Sequence, residues 1–159
     1  MADMPRRSGY QMPLLLLGAF RAVIDELHVQ LAQRGHEQAR PIHGFALQAI
    51  GPDGVTIAEL GRRLGVTKQA AAKTARALQE VGYAQRVPHP KDGRASILTW
   101  TPRGLDMLEA SAEILDRLRQ GWADQIGEER VRALEDDLSI LAGGGPSGPS
   151  IQEIPGWLQ

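Results

Sequence analysis

The stretch TIAELGRRLGVTKQAAAKTARALQEVGYAQRVPHPKDGRASILTWTPRG, which runs from Thr56 to Gly104, contains the signals that decide the fold. It begins with TIAE, a capping box in which the Thr56 hydroxyl accepts a hydrogen bond from the Glu59 amide and the Glu59 side chain reaches back. This box predicts a short helix that ends at Leu64. The chain then turns, because Gly65 follows directly and favours a tight bend.

A second helix follows the first after a turn of three residues, GVT. Thr67 can cap this helix, which we predict from Lys68 to about Val81, and Gly82 ends it. Two helices joined by so short a turn form a helix-turn-helix. Gly61 suits the crossing, because a side chain at this position would hold the two helices apart. The predicted buried face of the second helix consists of Ala71, Ala75, Leu78 and Val81.

The opposite face of the second helix carries Lys68, Gln69, Lys73 and Arg76. A helix of this width fits the DNA major groove, where the residues near its N-terminus approach the base edges first. Gln69 can pair with adenine, and Lys68 or Lys73 can contact guanine or phosphate. The alternative is a solvated helix face without a ligand. The capped helix before it and the hairpin after it favour DNA binding.

Two short β-runs follow the second helix, YAQRVP and ASILTWT, and the turn HPKDGR joins them. Taken alone, this turn is an ordinary charged hairpin connection. Pro90 stiffens its approach and Gly93 allows the bend. Thr101 and Pro102 then begin a long helix. The sequence therefore predicts a mainly α fold (α+β), in which a two-stranded hairpin follows the helix-turn-helix.

Helices flank this central region on both sides. We predict them from about Pro13 to Gln33, from Pro41 to Ile50, from Pro102 to Ile126 and from Glu128 to Ala142, because apolar residues recur along them at steps of three and four. The predicted apolar seams are Leu16, Phe20, Val23, Leu27 and Leu31 on the first helix, Leu105, Leu108, Ala112, Leu115, Leu118, Trp122 and Ile126 on the long helix, and Val131, Leu134, Leu138 and Leu141 on the last. Three such helices favour packing against a second chain over packing within one chain.

The composition of the 159-residue chain excludes several classes of protein. It contains no cysteine, which excludes disulfides, thiolate metal sites and thiol redox sensing. No apolar run reaches the roughly 18 residues that span a bilayer, so a soluble cytoplasmic protein is expected. No His-x-x-x-His pair, glycine-rich phosphate loop or nucleophile elbow is present. We therefore expect no metal site, no cofactor and no enzymatic activity.

The net charge of -1 conceals an uneven distribution along the chain. Residues 56–94 contain eight basic and three acidic residues, whereas residues 104–142 contain ten acidic and four basic ones. A basic segment beside an acidic one indicates a polyanion-binding module joined to a second unit. Solvated faces of ordinary helices are the alternative explanation.

The stretch from Thr56 to Gly104 resembles the winged helix-turn-helix of the MarR family of bacterial transcription regulators. The most specific part of the resemblance is Asp92-Gly93-Arg94, followed by a strand and TPRG. The resemblance extends from about Leu14 to Ala142, some four-fifths of the chain. It implies a homodimer, in which the first helix and the last two helices form the dimerisation region and two winged units bind a pseudo-palindromic DNA operator.

The resemblance also assigns roles to residues. Lys68–Val81 would be the recognition helix, Arg94 the wing arginine that enters the minor groove, and Asp92 the acid that holds Arg94 extended. The residues expected to contact DNA are Thr67, Lys68, Gln69, Lys73, Arg76, Lys91, Asp92 and Arg94. Those expected at the dimer interface are Leu16, Phe20, Leu118, Trp122, Leu134, Leu138 and Leu141. Many relatives carry Ser or Thr where Ala70 and Ala72 stand. DNA shape, Lys68, Gln69, Lys73 and the wing are therefore expected to contribute more of the specificity here.

The implied domain organisation has three parts. Residues 1–12 would be a flexible arm, residues 13–142 a MarR-type domain, and residues 143–159 a flexible linker and a short apolar tail. Within the domain, the winged helix-turn-helix would span about 41–101, and the dimerisation helices about 13–34 and 102–142. The tail carries Ile151, Ile154, Trp157 and Leu158 at near-helical spacing, which fits either a frayed terminus or a docking segment.

The function expected from these features is that of a DNA-binding regulator, a repressor that a small lipophilic or aromatic effector releases or modulates. His28 and His43 could line an effector cavity between the dimerisation helices and the winged unit, and Trp100 and Met107 could join it. The alternative for these side chains is an ordinary place in the core or on the surface. The alternative function is a ligand-independent architectural DNA protein, or one that recruits a partner through the tail.

Overall fold

The computed structural model describes residues 8–143, which form six helices and one two-stranded antiparallel sheet. The helices are α1 (Gln11–Gln33), α2 (Pro41–Ile50), α3 (Ile57–Arg63), α4 (Lys68–Glu80), α5 (Pro102–Ile126) and α6 (Glu128–Leu141), and the strands are β1 (Ala84–Pro88) and β2 (Ser96–Trp100). This mainly helical architecture with a β-hairpin between α4 and α5 confirms the predicted fold class.

The predicted element bounds agree closely with these, although α1 begins at Gln11 rather than Pro13. Most of the predicted arm, residues 1–12, lies outside the described residues. So do the predicted linker and tail beyond Gly143, including the apolar residues of the tail. In the described part of the chain, no helix combines the length and the apolarity needed to cross a membrane.

The start of α3 shows half of the predicted capping box. The Thr56 hydroxyl accepts a hydrogen bond from the Glu59 amide at 3.2 Å. The Glu59 carboxylate, however, binds the guanidinium groups of Arg62 and Arg63 instead of reaching back to Thr56. The prediction of a reciprocal box was therefore wrong, because two arginines on the next turn of the helix compete for the same carboxylate.

The crossing of α3 and α4 depends on a second cap and on one small residue. The Thr67 hydroxyl accepts a hydrogen bond from the Ala70 amide at 3.1 Å, which fixes the start of α4. A Cβ atom at Gly61 would lie 3.1 Å from the Val66 carbonyl oxygen. Glycine therefore lets the two helices cross closely, as the sequence predicted.

The sheet is anchored to the chain that precedes α3. β1 pairs with β2 in antiparallel register, with Arg86 opposite Leu98. Val55 adds a bridge to the same residue of β2, with Val55 N to Leu98 O at 3.0 Å and Leu98 N to Val55 O at 2.7 Å. Gly54 precedes this bridge with a φ of +74°, and a Cβ there would lie 2.6 Å from the Leu98 carbonyl oxygen. The sequence did not predict this bridge, which fixes the hairpin on the helix-turn-helix.

The core lies between the C-terminal half of α1, the winged unit and the N-terminal half of α5. Its largest fully buried hydrophobic side chains are Leu31, Leu47, Ile50, Leu60, Leu64, Leu78, Tyr83, Leu98, Met107 and Ile114. Nearly all of them are aliphatic, as a composition with 4% aromatic residues requires. This single core holds the winged unit against α1 and α5.

The buried face of α5 differs from the predicted seam. Its buried residues are Gly104, Met107, Ala110, Ile114 and Ala123. The predicted seam residues Leu105, Leu115 and Ile126 are instead 40%, 37% and 39% exposed. The first turn sets this orientation, because a Cβ at Gly104 would collide with the Tyr83 carbonyl oxygen. These three residues and Ala112, which is also exposed, belong to an apolar face that this chain does not cover. The expectation that this seam packs against a second chain stays a prediction.

Candidate nucleic-acid interface

The outward face of α4 is polar and cationic. Ala71, Ala75 and Leu78 are fully buried in the core, and Val81 is half-buried at the end of this face. The side chains exposed on the other side of α4 are Lys68, Gln69, Lys73 and Arg76. Burial of the alanine face therefore directs the three cations of this helix to solvent.

Two of the arginines in the basic segment are held by neighbouring protein groups. Arg62 and Arg63 both donate to the Glu59 carboxylate, at 2.6 and 2.8 Å. Hydrogen bonds from Arg62 and Arg63 lower the pKa of Glu59 to about 2. Arg63 also donates to the Ala49 carbonyl oxygen at 2.9 Å, which ties α3 to α2. These two guanidinium groups already have partners within the fold.

A third arginine, Arg86 on β1, lies beside acceptors as well. It donates to the side chains of Gln79 at 3.3 Å and Ser96 at 3.4 Å. Five cations of the basic segment remain without such ties. Within residues 8–143, no hydrogen bond or ion pair engages the charged ends of Lys68, Lys73, Arg76, Lys91 and Arg94. All five are exposed on α4 or at the tip of the hairpin.

The tip of the hairpin is a compact hydrogen-bonded turn. The His89 amide donates to the Ala95 carbonyl at 3.0 Å, and the Ala95 amide donates to the Asp92 carbonyl at 3.0 Å. The Asp92 carboxylate accepts a hydrogen bond from the backbone amide of Arg94 at 3.1 Å. Asp92 thus fixes the backbone of Arg94 and leaves its guanidinium exposed. This contact differs from the predicted brace, in which Asp92 would hold the Arg94 side chain.

A polar cluster around two buried side chains, His36 and Tyr83, lies behind the hairpin, and the sequence did not predict it. His36, in the loop after α1, is fully buried, with Nε2 2.9 Å from the Asp106 carboxylate and Nδ1 3.1 Å from the Tyr83 hydroxyl. Arg103 lies 5.5 Å from the centre of the Tyr83 ring and donates to the Gly35 carbonyl at 2.8 Å. Burial raises the pKa of the Tyr83 phenol. The cluster ties the end of α1 and the start of α5 to the strand that begins the hairpin.

An apolar cavity of about 90 Å³ lies between α1, α2 and α5. Of the four predicted effector residues, His28 and Met107 line it, beside Phe45, Gly44 and Leu108. The other two do not. The indole of Trp100 donates to the Leu47 carbonyl at 2.8 Å and packs against the core, and His43 faces a different cleft.

Apolar surface remains uncovered on the helices outside the winged unit. On α1, the exposed residues include Leu14, Leu15, Leu16, Leu17 and Phe20, and on α5 and α6 they include Leu105, Leu115, Leu134, Ile140 and Leu141. Leu118, Trp122 and Leu138 are half-buried and line an apolar groove of about 280 Å³ between α1, α5 and α6. All seven residues predicted for dimerisation therefore lie on this exposed surface or in this groove.

Known proteins resemble this chain in sequence and in fold. A model of the MarR family matches residues 41–95. The uncharacterized protein Rv2011c of Mycobacterium tuberculosis is 29% identical over 110 residues, which cover 69% of this chain and 75% of that protein. The crystal structure of the transcriptional regulator Tm0710 of Thermotoga maritima matches this fold with a TM-score of 0.57, over 84% of this chain and 93% of that one. The sequence identity is 26%.

A further solved structure with the same fold contains DNA. FabT of Streptococcus pneumoniae, in complex with DNA, has a TM-score of 0.71 at 20% identity, over 86% of this chain and 96% of that one. The matched family consists of transcription regulators and not of enzymes, which agrees with the absence of catalytic motifs in the sequence.

Proposed function

We propose that this chain, which resembles MarR-family winged helix-turn-helix regulators in sequence and in fold, acts in the cytoplasm as a homodimeric repressor that binds a pseudo-palindromic DNA operator sequence-specifically. Two copies of α4 enter successive major grooves about one helical turn apart. The two hairpins, as wings, reach the flanking minor grooves. A small lipophilic or aromatic effector releases or modulates the complex.

The observation that carries this proposal is the division of the basic segment into two sets of cations. Arg62, Arg63 and Arg86 have partners within the fold. Within the basic segment, the cations without partners among the described residues lie on the exposed face of α4 and at the wing tip. These are the two places that a winged helix-turn-helix presents to DNA. A protein that neutralises phosphates needs such uncommitted charges, because each phosphate contact releases a counterion. FabT, which shares the fold, has been solved in complex with DNA, and this supports DNA as the partner of this chain.

The operator can be found by selecting bound duplexes from a random library and measuring their affinity by fluorescence anisotropy. We expect an enriched pseudo-palindrome whose binding weakens linearly with the logarithm of salt concentration. Lys73→Gln should weaken binding to all duplexes about equally and reduce the salt slope by about one. Arg130→Gln, at an exposed cation on α6, is the matched control and should change neither. No enriched sequence, or affinity independent of salt, would contradict the proposal.

The homodimer is supported by the uncovered apolar surface of α1, α5 and α6. Ile140 and Leu141 are 74% and 75% exposed, and a run of leucines near the start of α1 is also exposed. Soluble monomers rarely expose contiguous apolar patches of more than a few hundred Å². A second copy that packs its own helices on this surface would remove it from water and would hold two wings at a fixed spacing.

The effector site that we propose is the cavity between α1, α2 and α5, with His28 and Met107 in its wall. Its volume of about 90 Å³ is smaller than the roughly 150 Å³ that suffices for benzene. An aromatic ligand must therefore push the helices apart. Since α1 and α5 belong to the dimerisation region and α2 to the winged unit, this movement would change the spacing of the two wings. The ligand acts through its different affinity for the two spacings.

The effector can be sought by footprinting the operator with and without phenolic and lipophilic compounds. We expect at least one compound to release the protein. Gly44→Leu should abolish this release and leave DNA affinity intact, because Gly44 lines the cavity and a side chain there would extend into open space. Release of the variant by the same concentrations of compound would place the effector elsewhere.

A further inference from the structure

A second cleft, of about 530 Å³, lies on the other side of the loop that connects α1 to α2. We call it the α2–α4 cleft. Its walls include Glu37, Gln38, Arg40, His43, Ala77 and Glu80. Ala39 and Arg40 line both this cleft and the apolar cavity, but only the cleft also has the carboxylates of Glu37 and Glu80 in its walls. It also touches the end of the recognition helix α4. The proposed operator and effector contacts do not use it.

The buried side chain in this cleft is His43, which is only 3% exposed. Its Nδ1 accepts a hydrogen bond from the backbone amide of Arg40 at 3.3 Å. Burial, and then the charges of Arg40 and His28, lower the pKa of His43, so the neutral ring is favoured. A neutral imidazole that accepts at Nδ1 carries its proton on Nε2. His43 is therefore a hydrogen-bond donor at Nε2.

That donor has no acceptor within the described part of the chain. Among residues 8–143, no buried side-chain nitrogen or oxygen is left without a hydrogen bond, and no hydrogen bond engages Nε2 of His43. This nitrogen must therefore retain contact with solvent, although the rest of the ring is enclosed. Because His43 lines the α2–α4 cleft, its N–H is directed to the cleft.

Three charged groups surround the mouth of the cleft. The carboxylates of Glu37 and Glu80 and the guanidinium of Arg40 are exposed, and within residues 8–143 no ion pair or hydrogen bond engages them. Arg40 lies close enough to His43 for its positive charge to disfavour protonation of the ring. The cleft thus offers a donor and a cation on the side of α2, together with carboxylates from the α1–α2 loop and from α4.

We propose that the α2–α4 cleft binds a small zwitterion of the amino-carboxylate class. The ligand's carboxylate accepts hydrogen bonds from His43 Nε2 and from Arg40, and its ammonium group pairs with Glu37 and Glu80. Charge-assisted hydrogen bonds of this kind are stronger than neutral ones and are selective for paired charges. The bound ligand would link the loop after α1 to the end of the recognition helix. This site adjoins the apolar effector cavity, with which it shares Ala39 and Arg40, but His43, Glu37 and Glu80 line only the cleft. Its occupation does not depend on operator binding.

The test uses the free full-length protein and three probes of increasing length, β-alanine, γ-aminobutyrate and ε-aminocaproate. Butyrate and butylamine are the singly charged controls. Binding is measured by calorimetry, and the side-chain nitrogen signals of His43 are followed by NMR. We expect at least one zwitterion to bind saturably and more tightly than either control, with a shift of the His43 Nε2 signal. No saturable binding at millimolar concentrations, or equal binding of all probes, would overturn the proposal.

Two variants connect the binding to the named groups. His43→Asn keeps an acceptor near the Arg40 amide but removes the donor at Nε2, and it should weaken zwitterion binding by about tenfold. Glu80→Gln, at an exposed site where folding is not at risk, should also weaken it by about tenfold and should leave butyrate binding unchanged. Glu129→Gln, at an exposed carboxylate on α6, is the matched control. Unchanged zwitterion affinity in Glu80→Gln would refute the assigned pairing, whatever the operator experiments show.

Discussion

Arg86 and Arg94 lie on the same hairpin, but their guanidinium groups have different surroundings. Arg86 donates to two neutral acceptors on the protein, Gln79 and Ser96. The backbone of Arg94 is fixed by Asp92, whereas its side chain extends into solvent. An arginine held in this way can enter a narrow minor groove, whose negative potential attracts it. The two residues therefore allow a direct comparison between a guanidinium that is hydrogen-bonded within the protein and one that is not.

We expect Arg94→Ala to weaken operator binding by about 1–3 kcal/mol, and Arg86→Ala to weaken it by clearly less. The reason is that only Arg94 has a guanidinium available for DNA. Affinities measured by anisotropy on the selected operator would check this, with circular dichroism to verify folding. If both variants lost the same affinity, the wing tip would have no special role in binding.

The neutral His43 ring makes the stability of the fold depend on pH. Burial lowers the pKa of His43 below its ordinary value of 6.5, so the unfolded chain takes up this proton more readily than the folded one. The stabilising contribution is fully present above about pH 6.5 and is lost as the pH falls through the folded pKa. We expect the free energy of unfolding to fall as the pH is lowered below about 6.5, and His43→Asn to remove part of this fall.

Urea unfolding of both proteins at several pH values would check the His43 prediction. The comparison isolates His43, because His28, His36 and His89 are present in both proteins. Parallel pH profiles of the two proteins would show that protonation of His43 does not oppose folding.

At the scale of elements, small residues set the contacts between helices and strands. Gly61 lets α3 and α4 cross, and Gly104 lets the first turn of α5 approach the Tyr83 backbone. The second contact fixes which face of α5 is buried and so which of its leucines remain exposed. The same first turn supplies Arg103 and Asp106 to the polar cluster around His36 and Tyr83.

We expect Gly104→Ala to lower the free energy of unfolding by more than about 2 kcal/mol, because its Cβ would meet backbone that cannot move aside. The matched control is Gly44→Ala on α2, where a Cβ meets nothing within 4 Å. Since glycine in a helix costs about 0.5–1 kcal/mol relative to alanine, this variant should be as stable as the parent or slightly more stable. Thermal unfolding of the two variants would test this difference in stability. If the two variants were equally stable, the backbone around Gly104 would be able to relax and accommodate a Cβ atom.

At the scale of the whole molecule, the described chain leaves one apolar surface exposed to solvent when it is a single copy. The winged unit and the inner faces of α1 and α5 share one core. The start of α1 and the outer faces of α5 and α6 expose their apolar residues instead. A second copy is the partner that the family resemblance implies for this surface.

We expect Phe20→Asp to convert the dimer into monomers and to abolish tight operator binding, because Phe20 is 40% exposed within the proposed interface. Val29→Asp is the control, since Val29 is also exposed but lies on the opposite side of α1. Sedimentation of the two variants would give their oligomeric states. A monomeric parent protein, or a dimeric Phe20→Asp variant, would contradict the assignment of the interface.

The sequence by itself determined the order and bounds of the elements, the α3–α4 crossing and the cationic face of α4. These features follow from caps, glycines and apolar spacing, which act within one or two turns of the chain. The sequence also named His28 and Met107 for the apolar cavity, but it could not separate them from Trp100 and His43. The reason is that the folded packing decides which cavity a histidine or a large apolar side chain faces, and nothing in the local sequence around these four residues specifies it.

Only the tertiary structure decided which cations have partners within the fold and which face of α5 is buried. It also brought His36 together with Tyr83, which lies 47 residues further along the chain, and with Asp106, which lies 70 residues further along. No local pattern encodes such a cluster, because its geometry depends on the packing of α1, α5 and β1 around the same core. The bridge from Val55 to Leu98 arose in the same way. Contacts between distant segments therefore determined the residues available to DNA and to ligands.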